Sequence, residues 1–90
     1  MQVMVEISLY PLMEQYIQPI KGFIDRINNH PELWVDTSTT NTLVRGDYQT
    51  VMAILGNEMQ RTHEEVGQAV FVAKFLNFGA MQSNQATTDS

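Results

Sequence analysis

The chain has 90 residues, 43% of them apolar, with ten acidic against five basic side chains and no cysteine. That composition describes one small globular domain and excludes a disordered segment, a disulfide framework, a thiolate metal site and a cysteine nucleophile. The basic residues Lys21, Arg26, Arg45, Arg61 and Lys74 are scattered, which argues against a nucleic-acid binder, and no apolar run approaches the roughly 20 residues of a membrane span.

The chain opens on Met1-Gln2-Val3-Met4-Val5-Glu6, without the basic start of a signal peptide, so the expected compartment is the cytoplasm. Residues 3–10 alternate, with Val3, Val5, Ile7 and Leu9 on one face and Met4, Glu6, Ser8 and Tyr10 on the other, which predicts a half-buried strand ended by Pro11. From residue 16 the period becomes helical. Ile17, Ile20, Ile24 and Ile27 form a stripe, Pro19 is tolerated in the first turn, and Asn28-Asn29-His30-Pro31 stops the helix.

Residues 33–46 read as a hairpin, with strands at 33–36 and 42–45 around the hydroxyl-rich run Thr37 to Thr42. Asp47 is a plausible N-cap for a second helix over 48–62, whose apolar face carries Val51, Ile54, Leu55 and Met59. The last strand, 69–78, is apolar on both faces apart from Lys74. Residues 1–78 form the expected domain and 79–90 an aperiodic, flexible C-terminal tail. The order βαββαβ predicts an α+β fold. Its sheet is four-stranded and antiparallel, with the first and third strands central and both helices on one face. The other face then has nothing of this chain to cover it, and a second copy is the simplest cover.

Three segments, taken together, resemble the YkoF-like thiamine-binding protein family. They are Val5-Glu6-Ile7-Ser8-Leu9-Tyr10-Pro11-Leu12; then Tyr16-Ile17-Gln18-Pro19-Ile20 with Phe23-Ile24; then Asn41-Thr42-Leu43-Val44-Arg45-Gly46-Asp47-Tyr48 with Val51-Met52. The resemblance spans about residues 3–76. It implies a ferredoxin-like fold, a homodimer or homotetramer built through the sheets, and non-catalytic binding of thiamine or its hydroxymethylpyrimidine moiety. The pattern departs from the family's at Arg45, where an acidic residue is common, at Met13, near a common glycine, and at Asn77-Phe78.

The candidate ligand-binding residues are Glu6, Ser8 and Tyr10, on the non-core face of the first strand, with Asn41 and Thr42. Glu6 would accept from an exocyclic amine, Ser8 would bond a ring nitrogen and Tyr10 would stack. Asn41 and Thr42 supply amide and hydroxyl groups suited to a polar heterocycle. Each has a plainer reading beside it: a polar strand face, a subunit contact, or a turn whose side chains bond their own backbone. Lys74 is expected to pair with Glu6 or Asp36. Trp34 reads as a core or interface anchor.

His30 and His63 stand apart, and no metal or nucleophile–base set can be assembled. Neither a catalytic residue nor a cofactor is expected. Two other readings remain: a regulatory or assembly domain that docks on a protein through its open sheet face, and a small cofactor-free enzyme relying on Glu6.

Overall fold

A computed structural model describes residues 1–77. The elements run β1 (Gln2–Pro11), α1 (Ile17–Asn28), β2 (Trp34–Thr37), β3 (Thr42–Asp47), α2 (Tyr48–Val66) and β4 (Ala69–Leu76). The strands form one sheet in the order β2-β3-β1-β4, each neighbouring pair antiparallel. β1 and β3 are therefore central and β2 and β4 lie at the edges, as the element order predicts. This is the ferredoxin-like α+β arrangement.

The alternation of β1 decides which side is the core. Val3, Val5, Ile7 and Leu9 are buried together with Val44 of β3, Phe23 and Ile27 of α1, and Val51 and Leu55 of α2. Both helices thus cover the same face. Met4, Glu6, Ser8 and Tyr10 have the opposite parity and point to the uncovered face.

The expected stripe of α1 is rotated. Ile17 is exposed, Ile20 and Ile24 are half-buried, and the centre of the contact is Phe23 with Ile27. Phe23 flanks the isoleucine stripe on the side of Ile20 and Ile27, and its ring meets that of Phe71 with centroids 5.0 Å apart. Ile17 sits in the first turn of the helix and stays in solvent.

Helix α2 runs to Val66, a turn beyond the expected end at 62. Hydrogen bonds at i,i+4 spacing, Gln60 to Glu64 and Arg61 to Glu65, support that extra turn. Gly67 ends it at φ +79°, a region open to glycine, with its N–H donating to His63 O. At the other end Asp47 caps as expected, its Oδ2 accepting from the Thr50 N–H at 3.1 Å and from the Thr50 hydroxyl at 3.0 Å.

Strand β3 continues through Gly46 to Asp47, past the expected end at 45. A Cβ at Gly46 would lie 3.1 Å from Val51 Cγ2 and 3.2 Å from the Glu32 carbonyl oxygen, so glycine lets the 31–33 segment approach. Strand β2 is Trp34–Thr37, shifted by one residue from the expected 33–36. Strand β4 is Ala69–Leu76; Phe78 and the tail at 79–90 lie outside the described residues. No helix among the described residues is long and apolar enough to cross a membrane.

A polar clasp joins the helices. Arg26 Nε donates to Glu58 Oε1 at 2.6 Å, and Arg26 Nη2 donates to the Thr62 hydroxyl at 2.6 Å. His30 Nε2 lies 3.1 Å from Glu58 Oε2. Burial pushes the Glu58 carboxyl up, but hydrogen bonds and charge from Arg26 and His30 outweigh it and hold the group below its ordinary value.

Candidate functional site

Strand β3 pairs with β1 only as far as Thr42 opposite Ile7. Beyond that point Ser8–Pro11 pair with β4 alone, and their other edge has no strand against it. The chain there turns through residues 38–41, while α1 begins above β1. Between these three parts lies an open cavity of about 510 Å³. Its lining combines the apolar side chains Ile7, Leu9, Ile20, Phe23 and Ile24 with the rings of Tyr10 and Tyr16 and the polar run Thr37 to Thr42.

The polar wall is wired to itself around Ser38. The Ser38 N–H donates to Asn41 O at 2.9 Å, and the Ser38 hydroxyl lies 3.2 Å from both Asn41 O and Asn41 Oδ1. The N–H of Asn41 returns to Ser38 Oγ at 3.3 Å. Ser8 ties this connection to β1, its hydroxyl donating to Thr40 O at 3.2 Å. The hydroxyls of Thr37 and Thr42 meet at 3.3 Å where the hairpin closes.

Four of the five candidate residues line the cavity: Ser8, Tyr10, Asn41 and Thr42. Glu6 does not. Its carboxylate accepts from Asn41 Nδ2 and lies 3.7 Å from Lys74 Nζ. Lys74 therefore pairs with Glu6, its partner across the β1–β4 ladder. Thr42 does not share a face with Glu6. It opposes Ile7, so its side chain enters the helix-covered side, where the residue is 4% exposed.

Asn41 keeps spare hydrogen-bonding capacity. One amide N–H goes to Glu6 and one lone pair to Ser38, leaving a second N–H and a second lone pair. Tyr16, absent from the sequence-derived candidates, brings its ring to the rim from the residue before α1. No period marks it, because its position follows from where the helix lands on the sheet. Among the described residues no group of three or more histidine, aspartate or glutamate side chains is placed to hold a metal ion.

The open face is a grid set by the strand registers. One row across it is Trp34, Arg45, Met4 and Leu76, and the next is Asp36, Leu43, Glu6 and Lys74. Ser8 with Val72 and Tyr10 with Val70 complete it on β1 and β4. Tyr10, Trp34, Val70, Val72 and Leu76 are all exposed. Trp34 is thus no core residue in this chain; the Arg45 guanidinium stacks 4.2 Å from its ring centroid.

Residues 2–79 match the model of the YKOF-related family. No curated protein matches the chain. Among solved structures, a Streptococcus pneumoniae protein superposes with a TM-score of 0.79 at 15% identity, covering 97% of this chain and all (100%) of that one. A Thermotoga maritima protein, provisionally assigned to thiamine biosynthesis or salvage, gives 0.76 at 16% identity over 93% of this chain and 98% of its own. A hypothetical Methanocaldococcus jannascii protein gives 0.72 at 18% identity over 94% and 95%. At these identities the likeness establishes the fold.

Proposed function

The chain belongs to the YKOF-related family, and on that premise we propose that it is a non-catalytic binding protein for thiamine or its hydroxymethylpyrimidine moiety. The observation that carries this reading is the cavity at the unpaired end of β1, where neutral donors and acceptors face apolar and aromatic walls. Its volume is in the range typical of small-molecule sites. An aminopyrimidine presents an exocyclic amine and two ring nitrogens. Hydroxyls and a carboxamide meet both kinds of group, since each donates and accepts.

Ser8, Asn41 and Thr42 supply those contacts on this reading, and Tyr10 and Tyr16 offer ring faces. Glu6 acts through Asn41, whose amide it orients. The provisional assignment of the Thermotoga maritima protein to thiamine biosynthesis or salvage supports the same ligand class. The lining holds no histidine, carboxylate or amine to move a proton, which favours binding over turnover.

The protein works as a homodimer or homotetramer in the cytoplasm on the same reading. The open face mixes exposed apolar side chains with two cations, Arg45 and Lys74, and two carboxylates, Asp36 and Glu6. On a chain of net charge −5, that face carries equal numbers of cations and carboxylates, so two copies of it could meet without net repulsion. Docking on a different protein is the competing use of this surface, and a chain that stays monomeric in solution would favour it.

Isothermal titration of the folded protein with thiamine and with hydroxymethylpyrimidine tests the ligand. A saturable heat with one site per chain is expected. No heat with either compound at millimolar concentration removes the proposal.

A further inference from the structure

The charge of the cavity bears on which form of the ligand it accepts. None of its lining residues carries a formal charge. The carboxylate of Glu6, bonded to Asn41, stands directly behind the polar wall. No basic side chain lines the cavity, and all five are engaged: Lys21 with Asp25 at 3.3 Å, Arg26 with Glu58, Arg45 over Trp34, Arg61 with Glu65, and Lys74 with Glu6 behind the polar wall.

The one positive end nearby is the start of α1. A helix N-terminus offers backbone N–H groups to an anion, but here that offer is reduced. Pro19 has no N–H, and the N–H of Ile20 is given to Tyr16 O at 3.4 Å. Only the Ile17 and Gln18 amides of that turn remain, and the lysine one turn on, Lys21, is paired with Asp25.

We infer that the site discriminates against phosphorylated ligands and takes thiamine and hydroxymethylpyrimidine in their unphosphorylated forms. This rests on the ligand reading above and adds a selectivity to it. A phosphate entering here would lose water without meeting a cation in the lining, because the cation behind the wall, Lys74, is shared with Glu6 and the chain is negative overall. The thiazolium of thiamine faces no such opposition. Its positive charge suits the ring faces of Tyr10 and Tyr16 and the nearby Glu6.

Titration calorimetry on the full chain with hydroxymethylpyrimidine, thiamine, thiamine monophosphate and thiamine diphosphate tests the inference. The first two are expected to bind, and each phosphorylated form to bind about tenfold or more weakly than thiamine. Monophosphate or diphosphate affinity equal to or above that of thiamine overturns the selectivity and leaves the ligand reading standing. No heat with any of the four overturns both.

The cause is tested by Thr39→Lys, which places a cation in the exposed connection at the cavity wall. The ratio of thiamine to thiamine diphosphate affinity should then fall several-fold. A ratio unchanged in a folded variant overturns the electrostatic account.

Discussion

Replacing Glu58 with alanine removes the acceptor on which the polar contacts between the helices converge. The side chain is 13% exposed and that of Arg26 17% exposed, so the pair is mostly withdrawn from water. Breaking a fully buried pair costs about 3–5 kcal/mol, because one charge is left uncompensated. Two features lower that figure here. Arg26 keeps its bond to Thr62 and has a second carboxylate, Glu65, at 3.6 Å from Nη1. Both ends of the clasp also retain some contact with solvent.

A loss of about 2 kcal/mol is therefore expected at neutral pH, or a fall in melting temperature of about 10 °C for a domain of this size. The pH dependence has a definite sign. In the fold the Glu58 carboxyl is held below its ordinary value of 4.5, so the unfolded chain binds the proton first. The stabilisation is fully present above that value and is lost as the pH falls through the folded-state pKa. Urea melts of the wild type and Glu58→Ala should thus differ by the full amount at pH 7 and converge in acid. A difference under about 0.5 kcal/mol at pH 7, the size of an ordinary surface substitution, or one constant down to acid pH, refutes the reasoning.

Ile27 is fully buried beneath the sheet, so Ile27→Ala should cost about 2–5 kcal/mol in the same melts, whereas Ile24→Ala, at the half-buried cavity wall, should cost less. Equal losses would show that the α1 contact is centred elsewhere. Glu6→Ala releases the Asn41 amide while leaving every lining residue in place, and should weaken thiamine binding by roughly tenfold. Unaltered affinity in calorimetry would remove Glu6 from the site. Val72→Lys puts a charge in the middle of the exposed β4 row, and light scattering should show the assembly dissociating to monomers. A wild type that is itself monomeric at high concentration would contradict self-association through this face.

Local regularities of the chain were enough for much of the fold. The alternation from Val3 to Leu9 marks a strand with a buried side, because successive side chains of an extended backbone point to opposite faces. The isoleucine spacing marks α1, and Asp47 marks the start of α2, because caps and helical periods act within a few residues. Tertiary structure decided what those signals leave open. Thr42 and Glu6 looked like partners in one site, but the β1–β3 register sets Thr42 opposite Ile7 and turns it to the other side of the sheet. Phe23, a single aromatic outside the isoleucine stripe, became the centre of the α1 contact only when Phe71 arrived from β4. Tyr16 reached the cavity, and Arg26, Glu58 and His30 met, through packing between segments about 30 residues apart. Periodicity fixes which way a side chain points along its own element; register and packing between distant elements fix what it meets.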